Sequence, residues 1–186
     1  MIKILTAVYA SANKGEDVTQ QVIQIISSGN DDILADNGSF GDPDPGSWKY
    51  FFVWYVAPPV NNGNPIGLAC AEGQSIDLIP ARPSPGQYST PLQPSLAPSG
   101  LGVTVHQAVY GTPNNGLDVT AICQAIVNQG GFGVGQALNI PISNGTFGGD
   151  PDVGTQKSFA MQYSFASSGP LFVGGLEGQT LSLPGV

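Results

Sequence analysis

Phe147-Gly148-Gly149-Asp150-Pro151-Asp152-Val153-Gly154, late in the chain, is answered one half earlier by Phe40-Gly41-Asp42-Pro43-Asp44-Pro45-Gly46. Outward from this pair the correspondence takes in Asn37-Gly38-Ser39 with Asn144-Gly145-Thr146, Lys49 with Lys157, Tyr55 with Tyr163, and Glu72-Gly73-Gln74 with Glu177-Gly178-Gln179. Upstream, Ala7-Val8-Tyr9 matches Ala108-Val109-Tyr110, and Asp17-Val18-Thr19 matches Asp118-Val119-Thr120 at the same offset. The chain is a tandem repeat of one small unit. Copies over residues 1–80 and 101–186 are each long enough to hold a core of their own.

Composition narrows the class. Hydrophobic residues make up 41% and charged residues only 10%, which excludes a disordered chain, while 26 Gly and 16 Pro call for many turns and short strands. The balance of 5 basic against 13 acidic residues, a net charge of −8, cannot supply the clustered Lys and Arg that nucleic acid or an anionic membrane requires. Cys70 and Cys123 fall at non-equivalent places in the two copies, so they read as free thiols packed as small apolar groups, which suits a reducing compartment, with one interdomain bridge as the alternative. Lys3, the apolar run from Ile4 and the Ala10-Ser11-Ala12 triplet imitate a short signal peptide. Yet Ala7-Val8-Tyr9 recurs inside the chain as Ala108-Val109-Tyr110, so this segment reads as a strand of the fold. No run is long enough to span a bilayer. The expected location is the cytoplasm, or outside the cell by a route without a classical signal peptide.

In each copy the pattern predicts an opening strand (Ile2 to Tyr9, Val103 to Tyr110) and then a short helix. Asp17 is placed as the helix N-cap with Gln20 at the capping-box position, and the helix stops at Gly29 or Gly130. Short strands follow near Asp32 to Ala35 and Ala137 to Ile142, then the Asp-Pro loop, then the strongest strand, Trp48 to Val56 or Gln156 to Ser164. Alternation sets Phe51, Val53 and Tyr55, and equally Phe159, Met161 and Tyr163, toward the core. The opposite side carries Trp48, Tyr50, Phe52 and Trp54 in the first copy but Gln156, Ser158, Ala160 and Gln162 in the second. A closing hairpin is expected to turn at Glu72-Gly73 or Glu177-Gly178, with Ile76 and Leu78 or Leu181 and Leu183 in its last strand. Residues 81–100, with Pro83, Pro85, Pro91, Pro94 and Pro98, read as an extended interdomain linker. The fold expected is mainly β: two similar antiparallel β-sandwich domains, each with one short helix, related by a pseudo-two-fold axis.

Ala-Val-Tyr, Asp-Val-Thr, Phe-Gly-(Gly)-Asp-Pro-x-x-Gly, the Lys-x-Phe and Tyr that follow, and the closing Glu-Gly-x-x-Leu-x-Leu-Pro together resemble the C-terminal domain of certain mitochondrial DnaJ-like proteins, a domain of unknown function also found in fungal and bacterial chains. The resemblance spans nearly all of each repeat and leaves out the linker. The His-Pro-Asp signature of a J domain is absent from the sequence, so the resemblance implies no co-chaperone activity, and it brings no catalytic residues with it.

Asp42, Asp44, Asp150 and Asp152 stand in Gly/Pro turns, where a carboxylate accepts hydrogen bonds from backbone amides two residues on. They are also oxygen ligands of the kind Ca²⁺ takes, but Asp-Pro-Asp alone supplies too few and the spacing is not that of an EF-hand. Lys49 and Lys157 follow the acidic loops at one interval and are expected to pair with Asp42 or Asp44 and with Asp150 or Asp152, as exposed pairs contributing under about 1 kcal/mol. His106 is the only histidine and aligns with Leu5, and no G-x-S-x-G is present, so neither a nucleophilic triad nor a typical zinc site is legible. Glu72 and Glu177 precede turn glycines and do not form a recognisable glycosidase pair.

These readings describe a non-enzymatic binding protein without cofactor or metal. Carbohydrate recognition of the lectin kind is the leading function, because duplicated sites give avidity and turn-borne Asp and Asn, Asn144 among them, with aromatic neighbours suit hydroxyl-rich ligands. The alternative is a structural or assembly protein, a homo-oligomer included, that uses Trp48, Tyr50, Phe52 and Trp54 as a protein interface. Three covers for that stripe follow: the linker, a second domain or subunit, or a sugar stacked on Trp54.

Overall fold

A computed structural model describes residues 1–58, 60–79, 102–129, 137–165 and 168–183; the 81–100 segment and the helix stop expected at Gly130 lie outside them. The first half runs β1 (Lys3–Ala10), β2 (Gly15–Asp17), α1 (Thr19–Ser27), β3 (Asp32–Leu34), α2 (Asn37–Phe40), β4 (Tyr50–Val56), β5 (Ile66–Ala71) and β6 (Ser75–Asp77). The second half repeats it as β7 (Val103–Gly111), β8 (Gly116–Asp118), α3 (Thr120–Gln129), β9 (Leu138–Pro141), α4 (Asn144–Phe147), β10 (Ser158–Phe165), β11 (Leu171–Leu176) and β12 (Thr180–Leu183). Each half has one four-stranded antiparallel sheet, in order β2-β1-β4-β5 or β8-β7-β10-β11, and one two-stranded ribbon, β3-β6 or β9-β12.

One face of each sheet is covered by its helix and ribbon. In the first half Ala7, Tyr9, Phe51, Val53 and Tyr55 meet Val22 of α1 and Ile33 and Ile76 of the ribbon in one buried cluster. Phe159, Met161 and Tyr163 take the same part in the second half, with Cys123, Ile140 and Leu181. The period-2 pattern of β4 and β10 therefore sorts side chains as the sequence requires. Both cysteines are free and buried, Cys123 on its helix and Cys70 on β5.

Asp-Val-Thr marks the join of strand and helix. Asp17 Oδ1 accepts from Thr19 N at 2.9 Å and Thr19 Oγ1 accepts from Ala7 N at 3.0 Å, while Asp118 and Thr120 do the same against Ala108. Val18, not Asp17, occupies the cap position of α1, so Asp17 acts one residue early as a side-chain turn rather than as the expected N-cap of a capping box. Gly29 follows α1 with φ 91°, the left-handed residue expected there. The turns at Glu72-Gly73 and Glu177-Gly178 do not close hairpins. They carry the chain off the main sheet, so β6 and β12 pair with β3 and β9 instead of with the strands before them.

A register shift puts one extra residue in β1 between Ile4 and Thr6, and in β7 opposite Gln162/Tyr163. The extra residues are Leu5 and His106. A bulged residue is released from the pleat, which is why the two copies tolerate such different side chains there. His106 is exposed, with Nε2 2.8 Å from Ser164 Oγ.

The outer faces of the two sheets pack on each other. Val8, Ala10, Phe52 and Ala69 form one buried cluster with Val109 and Ala160, flanked by Trp54 and Phe172. Among the described residues two backbone bonds cross between the halves, Ala69 N to Thr112 O at 3.3 Å and Gly174 N to Ser11 O at 2.7 Å. Residues 69 and 174 are equivalent, as are 11 and 112, so the pairing is reciprocal, as a pseudo-two-fold axis demands. Among the described residues no helix is long and apolar enough to cross a membrane.

Candidate functional site

Each Asp-Pro loop is built from the one-turn helix before it. Asp36 caps α2 by accepting from Ser39 N at 2.7 Å, and Ser143 caps α4 by accepting from Thr146 N at 3.1 Å. The turn drives Phe40 into the core, tilted against Tyr9 and stacked on Phe51 at 5.0 Å, and Phe147 repeats this against Tyr110 and Phe159. The Phe of Phe-Gly-Asp-Pro is thus an anchor that fixes where the loop leaves the core.

The loop is then laced by carboxylates. Asp44 N donates to Asp42 Oδ1 at 3.2 Å and Asp152 N to Asp150 Oδ1 at 3.1 Å, the two-residue spacing expected of Asp in a turn. Ser11 donates to Asp44 Oδ2, and Thr112 to Asp152 Oδ2 at 2.8 Å, which ties each loop to the β1-β2 or β7-β8 turn. The Ser11 hydroxyl, helped by Ser47, holds the Asp44 carboxyl below the usual aspartate range.

Lys49 and Lys157 select Asp42 and Asp150, both at 2.9 Å, and not Asp44 or Asp152. Each also reaches a glutamate, Glu72 at 3.6 Å and Glu177 at 3.2 Å, whose carboxylates accept from the lysines' own backbone N–H groups at 3.2 Å. These are not the exposed pairs expected. The lysines are 2% and 3% exposed because strand pairing and the loop close over them. Burial opposes their charge, but the facing carboxylates outweigh it and raise both ammonium pKa values. Burial likewise opposes the charge of Glu177, yet bonds from the Lys157 backbone, Tyr110 and the Lys157 ammonium lower its pKa. The Lys157 ammonium lowers that of Asp150.

A tyrosine completes each ring. Tyr9 donates to Asn37 Oδ1 at 3.0 Å, and Asn37 Nδ2 donates to Asp42 at 3.3 Å; Tyr110, Asn144 and Asp150 repeat this at 2.8 and 3.1 Å. Burial, with Glu72 or Glu177 nearby, pushes both phenols above their usual range. Each ring therefore joins the Asp-Pro loop, its lysine, the glutamate of the returning turn and a tyrosine of the opening strand through ion pairs and hydrogen bonds. Sequence reasoning found Lys, Asp and the repeated Glu-Gly, but not that Tyr, Asn and Glu close one ring. The signal was that every member recurs in both copies.

What the copies do not share is Trp48. It lies just before β4 with 69% of its surface exposed, and its counterpart is Gln156. It walls an open groove of about 540 Å³ with Asp36, Asn37, Asp42, Ser47 and Glu72, that is, with the outward side of the first ring. Tyr50 and Phe52 are buried and Trp54 is half-buried in the seam between the halves. The stripe expected as one surface is therefore divided. The second half is the cover for most of it, and Trp48 alone remains in solvent. Asn144, Asp150 and Asp152 sit at the equivalent loop, where no indole stands beside them. Among the described residues no group of three or more His, Cys, Asp or Glu is arranged to hold a metal ion.

No protein-family model, curated protein or solved structure matches this chain.

Proposed function

We propose that this protein is a non-enzymatic carbohydrate-binding protein and that its primary site is the groove beside Trp48. The observation that carries this reading is an exposed indole held against a fixed array of hydrogen-bonding groups. Sugars present apolar C–H faces and polar hydroxyl edges, so they suit a site with one aromatic platform and a few convergent polar groups. Asp36, Asn37, Asp42, Ser47 and Glu72 provide those groups, and the ring through Lys49 fixes the orientation of three of them before any ligand arrives. Preorganisation of this kind lowers the ordering cost of binding.

The fold has no need of Trp48, since Gln156 stands at the same place in the second half. A large apolar side chain left in solvent and without a packing role is accounted for by a ligand. Duplicated sites are not part of this proposal, because the second loop has no aromatic platform. The assembly reading is weakened by the same geometry, since Phe52 and Trp54 are already spent on the seam within the chain. The buried free thiols of Cys70 and Cys123 suit the reducing compartment proposed for the protein.

A glycan array on the whole chain tests the proposal, with Trp48→Ala beside it. The expected result is binding to a subset of glycans that Trp48→Ala loses while its melting temperature stays put. Equal binding by the variant, or none by the parent, would defeat the reading.

A further inference from the structure

A second cavity, of about 400 Å³, opens where the two halves meet. Trp48, Tyr50, Gln74, Gln156, Ser158 and Gln179 are among its walls. These are three equivalent pairs: 48 with 156, 50 with 158, and 74 with 179. The cleft therefore straddles the pseudo-two-fold axis. Trp48 and Glu72 border both this cleft and the groove of the primary site, so the two cavities are neighbours across one indole.

We propose that this cleft is a second subsite of the same binding surface and that the ligand is a neutral oligosaccharide of two or more rings, bridging the halves. The inference rests on the carbohydrate reading of Trp48 and goes on to ligand class and length. Both cavities fall within the range of about 300–1,000 Å³ usual for small-ligand sites, so a ligand that fills both extends past a single sugar ring. Beside Trp48, Ala71 and Leu176, the uncharged polar groups of the cleft are the carboxamides of Gln74, Gln156 and Gln179 and the hydroxyls of Tyr50 and Ser158, which donate and accept in turn as sugar hydroxyls require. They are partly held in place already. Gln74 Oε1 accepts from Ala71 N at 2.9 Å and Gln179 Oε1 from Leu176 N at 2.8 Å.

Charge sets the class. Among the described residues the only charged one bordering the cleft is Glu72, and the adjoining groove adds Asp36 and Asp42, with the Lys49 ammonium paired to Asp42 and Glu72. In a chain of net charge −8 an acidic sugar would meet like charge on entry, so a neutral one is selected. The site is also incomplete in either half alone, because Gln156, Ser158 and Gln179 come from the second copy and Trp48 from the first.

The test is titration calorimetry of the whole chain with glucose, galactose and mannose, with linear β-linked di- to tetrasaccharides of each, and with a sialylated trisaccharide as the acidic comparator. Affinity is expected to rise from one ring to three in the series that binds and to be weaker for the acidic probe. Gln156→Ala should lower the trisaccharide affinity about 3- to 10-fold, the worth of one hydrogen bond, and leave the single sugar unchanged. Trp48→Ala should lower both. Affinity independent of chain length, no effect of Gln156→Ala, or preference for the acidic probe overturns the extension and leaves the Trp48 groove standing. No binding by any of these probes, when the array shows binding that Trp48→Ala loses, overturns the extension alone; no binding on the array either overturns both.

Discussion

Lys49 and Lys157 show how a surface-looking motif becomes internal. Two lysines among five basic residues, each a fixed step after an acidic loop, point to ion pairs, and the pairs form with Asp42 and Asp150. Their depth was not legible, because what buries a lysine stem is the strand pairing and the returning Glu-Gly turn, which lie 23 and 20 residues away. Breaking a deeply buried pair by removing one partner costs about 3–5 kcal/mol. Here the carboxylates stay 20–33% exposed, so water shares their charge. Lys49→Met or Lys157→Met should therefore cost about 1–3 kcal/mol, measured by urea unfolding at neutral pH. The pH dependence has two arms. Asp44, Asp150 and Glu177 have lowered pKa values, so their contribution is full above the ordinary carboxylate range and is lost as pH falls through the lowered values. The lysine pKa values are raised, so their contribution is full below the ordinary lysine value and is lost as pH climbs through the raised one. Urea midpoints should be level from about pH 5 to 9 and decline below about pH 4 and above about pH 10.5. A maximum at neutral pH with steep loss by pH 6 would contradict these assignments.

At the level of elements, β4 and β10 were legible and their partners were not. Alternation alone separates Phe51, Val53 and Tyr55 from Tyr50, Phe52 and Trp54, and both faces of β4 follow it. What covers the second face depends on a copy of the fold about a hundred residues on, which no local pattern encodes. The absence of aromatics from the outer face of β10 also has a structural answer. Trp54 lies across Gly67 of its own sheet, where a Cβ would come within 2.8 Å of the ring, an aromatic filling the space over a strand glycine. In the second half the pair is inverted: Gln162 stands at the Trp54 position and Phe172 at the Gly67 position. Phe172 then packs on Gly15 of the other half, while Gly67 meets Gly116, whose backbone lies directly against the Gly67 carbonyl. The seam thus carries Phe52 and Trp54 on β4 of the first half and Phe172 on β11 of the second. Phe52→Ala should cost about 3–5 kcal/mol, the range for an aromatic removed from a packed core, because Phe52 is fully buried. Gly116→Val should cost at least about 1–3 kcal/mol by overpacking, since backbone cannot rotate out of its way. If urea unfolding places Phe52→Ala within 1 kcal/mol of the parent, roughly a surface value, the halves do not pack as described.

The whole molecule is two copies that share a third core. Each half buries its own cluster under a helix and a ribbon, and the seam of Val8, Ala10, Phe52, Ala69, Val109 and Ala160 joins them. Repetition was the most legible property of the sequence, because a duplicated loop needs no structure to be seen. The seam was not, because β5 and β11, which help to make it, are short and rich in Gly and Ala and carry little strand signal. Cooperativity follows from the seam. A half separated from its partner would expose Phe52 and Trp54, or Phe172, to water, at about 25 cal/mol for each Å² of apolar surface uncovered. Neither half should therefore persist folded once the other has opened, and the chain should unfold in one step. Two probes decide this. Tryptophan fluorescence reports Trp54 in the seam and Trp48 in solvent, while far-ultraviolet circular dichroism reports the strands of both halves. Their urea transitions should coincide in the parent, and in Trp48→Ala, whose removal should shift the midpoint by less than about 0.5 kcal/mol in stability because an exposed side chain supports nothing. In Phe52→Ala the transitions should move to lower urea and separate, since the link between the halves is weakened more than either core. Two resolved steps in the parent would mean that the seam is too weak to couple the halves, and the cleft on the pseudo-two-fold axis could not then be held in one shape.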